Sequence, residues 1–230
     1  MAQFVKDTFL SVVLAATLWL VYSCSGCAPA TLAPARSTAG AQSPAVTGAS
    51  VVTLIRPEAQ WTWGNLASEN FTDGGFKVRY VPSCNGFAIE GNRLVTAAHC
   101  VTGIEPGGEV RYLSPDGVGH GIATLLSVNE AADLATCEAY GLTPLPVTSV
   151  PRDGDAVVAV SSFYGQTSYG KVLGRLSTGY YATSQTIIKG WSGSPVLDLH
   201  GRAWGVISQC PEVAETKECE PGHAIVTALQ

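Results

Sequence analysis

From Val51 onward the chain is a series of short apolar runs separated by polar, glycine-rich breaks. Gly86-Phe87-Ala88-Ile89 and Arg93-Leu94-Val95-Thr96 flank Glu90-Gly91-Asn92, the pattern of two strands joined by a tight turn. Ala156 to Val160 is continuously apolar and short, which predicts a buried strand. Ser194–Leu197 and Ala203–Ser208 flank a second turn at His200-Gly201. Val, Thr, Ile and Tyr recur in the runs, and most of the 25 Gly and 13 Pro punctuate them. No long stretch beyond residue 25 has helical periodicity, and no internal repeat is present. The pattern predicts an all-β fold of short strands, a barrel or a sandwich.

The first fifty residues follow different rules. Phe9 to Tyr22 is an almost unbroken apolar run of 14 residues, short of the roughly 20 that span a bilayer. It suits the apolar region of a secretory signal, with Ala28-Pro29-Ala30 as a small-residue cleavage site. Cys24 and Cys27 each follow a small residue, which resembles the ending of bacterial lipoprotein signals. A cleaved signal, an uncleaved anchor and a lipidated cysteine are therefore the three expected fates of residues 1–30. Residues 31–50 are rich in Ala, Pro, Ser, Thr and Gly, and such a segment buries too little to offset its ordering entropy. It reads as a tether. The folded region is expected over 51–230, in a location outside the cytoplasm, either secreted or held at a membrane.

Composition narrows the function classes. Apolar residues make up 46% and charged residues 13%, enough for a real core. The net charge is -5 and no Lys/Arg cluster occurs, so no nucleic-acid partner is expected. Of seven cysteines, five lie in the folded region: Cys84, Cys100, Cys137, Cys210 and Cys219. In an exported protein such cysteines are oxidised. Cys84 and Cys100 bracket the predicted hairpin, Cys210 and Cys219 can close a local loop, and Cys137 is left over. Connectivity stays open at this point, with zinc as the alternative, although no Cys-x-x-Cys pair occurs in the folded region. His120, His200 and His223 lack metal-ligand spacing, and no metal or cofactor is expected.

The candidate chemistry sits in Lys189-Gly190-Trp191-Ser192-Gly193-Ser194-Pro195-Val196. A serine between glycines exposes its hydroxyl, and the same turn can aim peptide N–H groups at an oxyanion. Alone the motif is an ordinary turn. Upstream, however, stand Thr96-Ala97-Ala98-His99-Cys100 and Asp133-Leu134-Ala135. Each of these has a bland reading, a structural histidine and a turn aspartate. In the order His99, Asp133, Ser192 they supply a general base, its orienter and a nucleophile.

These three segments, and the whole run from Cys84 to Cys100, resemble the signatures of chymotrypsin-like serine proteases. The resemblance implies two six-stranded antiparallel β-barrels with the site between them, barrel 1 over about 51–142 and barrel 2 over about 143–230. It implies a disulfide joining Cys84 to Cys100. By position, Ser192 attacks the scissile carbonyl, His99 transfers the proton, and Asp133 orients His99. The N–H groups of Gly190 and Ser192 form the oxyanion hole, and glycine is needed at 190 because a side chain would hinder that backbone. Thr186, Ser208 and Gly222 fall at substrate-binding positions. The expected partner is a polypeptide, cleaved by a monomeric enzyme through an acyl-enzyme. The alternatives are a non-catalytic binding module on the same fold and a viral protease released from a membrane-associated precursor.

The family pattern is broken in two places. Trp191 stands where zymogens carry an aspartate that pairs with a newly cut N-terminus, and no Ile-Val-Gly-Gly start is present. The oxyanion hole is thus expected to form without N-terminal cleavage, with Trp191 packed beneath the loop. Ser192-Gly193-Ser194-Pro195-Val196 resembles glutamyl endopeptidases and some viral proteases, but Ile207 stands where such enzymes place a histidine. With Thr186 at the pocket base, an uncharged or mid-sized apolar substrate side chain is expected. Asn70-Phe71-Thr72 matches a glycosylation sequon by chance, and Tyr180, Tyr181, Trp61 and Trp63 read as packing residues.

Overall fold

The computed structural model describes residues 50–57, 69–73, 76–114, 119–214, 216 and 218–229, with backbone alone for 69–73 and 76–79. The apolar run Phe9–Tyr22, Cys24, Cys27, most of the tether, Trp61 and Trp63 lie outside these residues.

Seven strands make the first sheet: β1 (Val51–Pro57), β2 (Glu69–Asp73), β3 (Phe76–Ile89), β4 (Arg93–Thr96), β5 (Glu109–Leu113), β6 (His120–Asn129) and β7 (Leu134–Glu138). Their order is β1-β5-β6-β7-β4-β3-β2, and β1 also pairs with β3. That second pairing closes six strands into a barrel and leaves β2 as a hairpin extension of β3. The other sheet is a closed barrel of β8 (Ala156–Ser161), β9 (Gln166–Arg175), β10 (Tyr181–Thr183), β11 (Pro195–Asp198), β12 (Ala203–Gln209) and β13 (Ala224–Ala228). All strand pairings within both barrels are antiparallel. The two-barrel architecture of the trypsin fold is present. Ser194 lies just outside β11 because its N–H turns back to the Trp191 carbonyl.

The barrels share apolar packing. Val158, Leu197, Ala203 and Val206 of the second barrel join the cluster built on Phe87, Leu94, Val95 and Leu125 of the first. A second cluster surrounds Trp204 and Trp191. The connector is stitched to both halves, since Leu145 bridges to Ile89 and Val147 to Ala203. Among the described residues two disulfides form, Cys84–Cys100 and Cys210–Cys219, while Cys137 is a buried free thiol. Cross-linking residues 16 apart in sequence, as Cys84 and Cys100 are, is worth about 3 kcal/mol by chain entropy.

Two irregularities in the strands fall at residues that line the cleft, Ser83 and Ser208. Along β1 and β3, Leu54 pairs with Cys84 but Ile55 with Pro82, so Ser83 is an extra, bulged residue. Along β12 and β13, Ile207 pairs with Val226 but Gln209 with Ile225, so Ser208 is bulged. A bulge re-aims its residue out of the strict alternation of a strand.

Candidate active site

His99 sits in a 3-10 turn (Ala98–Val101) directly after β4, and the disulfide at Cys100 fixes that turn to β3. Asp133 follows a second 3-10 turn (Glu130–Ala132), capped where the Asn129 side chain accepts the Ala132 N–H. Asp133 itself is left-handed, at φ 48°. Non-glycine residues take this conformation rarely, Asp and Asn most readily. The turn is held from the opposite barrel: Tyr180 Oη donates to the Ala131 carbonyl at 3.1 Å and Thr227 Oγ1 to the Ala132 carbonyl at 2.7 Å.

The result is a fixed imidazole–carboxylate pair. His99 Nδ1 lies 2.9 Å from Asp133 Oδ2 and 3.1 Å from Oδ1, and the His99 peptide N–H donates to Oδ1 at 3.0 Å. The bulged Ser208 adds a hydroxyl donor to Oδ2. Burial alone would push the Asp133 carboxyl up. The hydrogen bonds from the His99 ring, Ser208 and the His99 N–H, with the charge on His99, outweigh it and hold the group below the ordinary carboxylate range. An ionised carboxylate on Nδ1 leaves Nε2 as the basic nitrogen.

The Ser192 loop packs against barrel 1. The Asn85 N–H donates to the Ser192 carbonyl at 2.8 Å, and the Thr96 hydroxyl donates to the Asn85 carbonyl at 2.7 Å. A Cβ on Gly193 would stand 1.9 Å from that Asn85 carbonyl oxygen, so only glycine permits the contact. The N–H groups of Trp191, Gly193 and Ser194 bond to Ile188, Ile207 and Trp191 carbonyls. Those of Gly190 and Ser192 donate to no protein acceptor among the described residues. Gly190 has φ 93°, and a Cβ there would press on the Tyr164 hydroxyl at 3.0 Å. Both features fit the expectation that 190 must be glycine. Trp191 is 3% exposed and packs with Val157, Val196 and Trp204. It takes the place beneath the loop that the sequence suggested.

One cleft of about 570 Å³ holds His99, Asp133, Gly190, Ser192 and Ser208, walled by Ile187, Ile188, Ile207 and Cys210. The Ser192 hydroxyl donates to the Ser208 carbonyl at 3.4 Å rather than to His99. Such hydrogen bonds often tighten only when substrate is bound. Thr186 and Gly222 meet each other, the Gly222 N–H donating to Thr186 Oγ1 at 3.2 Å, but neither lines this cleft. Lys189 and Glu212 pair at 3.2 Å on its wall. Among the described residues one group, Cys84, His99 and Cys100, brings metal-type ligand atoms within 4.8 Å, yet its sulfurs are joined as a disulfide and offer no thiolate. Sequence reasoning missed Asn85, Tyr164, Tyr180 and Thr227. Their partners are remote in sequence and no local motif marks them.

The family model for a trypsin-like peptidase domain matches residues 84–206. No curated protein matches the sequence. Among solved structures, the HtrA-type protease AlgW, crystallised with a decapeptide, superposes with a TM-score of 0.63 at 16% identity over 82% of this chain. The chain spans 64% of AlgW. The Rv3671c protease from M. tuberculosis in its active form gives a TM-score of 0.56 at 20% identity, covering 80% of this chain and 78% of that one. At such identities the structural likeness establishes the fold, and the family match over more than half of the sequence goes further: the chain belongs to the trypsin-like peptidase domain family.

Proposed function

We propose that this protein is a serine endopeptidase working through His99, Asp133 and Ser192. The observation that carries this is one cleft with three features: an imidazole fixed by an ionised carboxylate, a serine hydroxyl, and two uncommitted N–H groups on the serine's own loop. Ser192 Oγ attacks the carbonyl carbon as His99 Nε2 takes its proton. The N–H groups of Gly190 and Ser192 receive the oxyanion, each worth on the order of 10²–10³ in rate. His99 returns the proton to the leaving amine, leaving an acyl-Ser192 ester that water cleaves by the same route.

A polypeptide substrate is supported by AlgW, which was crystallised with a decapeptide. The isoleucine-lined wall supports an uncharged, mid-sized apolar side chain at the cleaved residue. Two disulfides support residence outside the cytoplasm. A membrane tie through residues 1–30, and a hole that needs no N-terminal cut, complete the reading.

A fluorophosphonate probe tests it. Labelling of the full chain at Ser192, lost in Ser192→Ala, is expected, as is cleavage of a peptide library. A second reading, a binding module without catalysis, draws on the Ser192 hydroxyl turning to Ser208. Absence of labelling in a folded sample would decide for it.

A further inference from the structure

A peptide N–H can serve an oxyanion only if its plane faces the right way. In a trans peptide the carbonyl and the following N–H point in opposite directions. The direction of the Gly190 N–H is therefore set by the Lys189 carbonyl. Glycine at 190, with φ 93°, removes the steric barrier that would otherwise choose between the two orientations. Something else must choose.

The Lys189 carbonyl accepts the Tyr164 hydroxyl at 2.7 Å. Tyr164 comes from the loop between β8 and β9, and its N–H is itself tied to Ser161 Oγ at 3.3 Å. The Phe163 and Tyr164 rings meet edge to face at 4.5 Å and form the surface against which Gly190 rests. The next carbonyl, that of Gly190, accepts Asn85 Nδ2 at 2.8 Å. Asn85 is wholly buried, and its Oδ1 is occupied by the Ser161 hydroxyl at 3.2 Å and the Phe163 N–H at 3.0 Å. Asn85 cannot turn its amide over without losing all three bonds. Both peptide planes flanking Gly190 are thus pinned by side chains from one buried network.

Resting on the protease reading above, we propose that Tyr164, backed by Asn85, is a built-in latch that holds the Lys189–Gly190 peptide with its N–H toward the cleft. Tyr164 is a positioning residue: it meets the carbonyl behind the N–H, on the face away from substrate. The latch performs the task for which zymogens use a new N-terminus, and Trp191 leaves that ion pair impossible here. Burial also pushes the Tyr164 phenol up, so it stays a donor across the neutral range.

The test is Tyr164→Phe in the full chain, which keeps the ring against Gly190 and removes only the donor. The kcat on a peptide anilide is expected to fall about 10- to 100-fold with KM nearly unchanged, since a partly flipped peptide forfeits part of one oxyanion donor. Affinity for a peptide boronic acid should fall in proportion, while that for a product peptide should hold. Tyr140→Phe, at an exposed phenol, should change nothing. Crystal structures of parent and Tyr164→Phe supply a readout independent of turnover: the Lys189 carbonyl should populate the reversed orientation only in the variant. An unchanged kcat and boronate affinity in a labelled, active parent overturn the latch alone. An unreversed peptide in the variant crystal does the same. A parent inert to fluorophosphonate overturns the protease reading itself, and the crystal comparison still judges the latch. Asn85→Ser, which withdraws the second pin, is expected to reproduce the kcat loss, and its failure to do so counts against the network.

Discussion

The Asp133 carboxylate accepts from three donors, and two of them belong to one residue: the ring and the peptide N–H of His99 both converge on it. The aspartate thus fixes the backbone turn as well as the tautomer. Asp133→Asn would turn an amide donor toward one of these N–H groups. We expect kcat/KM to drop on the order of 10⁴, the size seen when a triad imidazole is held in the wrong tautomer. Peptide-anilide hydrolysis measures it, and a loss below tenfold would count against the assignment.

Trp191 is an apolar pillar, and its indole Nε1 has no hydrogen-bond partner among the described residues. Trp191→Ala should cost about 3–5 kcal/mol of stability. Trp191→Phe should cost much less, because no hydrogen bond is lost with the indole. Urea unfolding at constant slope separates the two, and equal losses would mean the nitrogen matters.

Asp198 closes the β11–β12 turn, accepting N–H groups of His200 at 2.8 Å and Arg202 at 3.0 Å and the Arg202 Nε at 2.7 Å. Burial opposes its ionisation, but these bonds and the Arg202 charge hold it below its ordinary value of 3.8. A carboxyl with a lower pKa folded than unfolded stabilises fully above the unfolded value. That contribution is lost as pH falls through the folded one. Asp198→Asn should therefore lower Tm at neutral pH and converge with the parent in strong acid. Parallel Tm curves across the range would refute this.

Cys137 is fully buried, and burial pushes its thiol up to about 12. Iodoacetamide at neutral pH should leave the Cys137 peptide unmodified in the native protein and alkylate it in urea. Peptide mapping by mass spectrometry reads this directly, and native alkylation would show that the first barrel opens.

The strands most legible in the sequence are those that bury most of their residues. β12, with six of its seven residues buried, stands out as an apolar run. β6 and β9 bury two and one of their ten residues, so their composition looks like loop and they escaped notice. His99, Asp133 and Ser192 were readable because each sits in a local motif. Asn85 was not, since its amide meets Gly190 105 positions away. Ser208 was placed by the family pattern on the substrate side, and its hydroxyl contact with Asp133 depends on a bulge that composition does not encode.

The hydrogen bonds that cross between the barrels run in both directions. Tyr180 and Thr227 of the second barrel grip the turn that presents Asp133, and Asn85 of the first grips the loop that presents Ser192. Each half of the molecule therefore holds the candidate catalytic residue borne by the other. A chain with only one barrel formed would have neither grip in place. On the protease reading proposed above, hydrolytic power arrives only once both barrels have formed and grip each other.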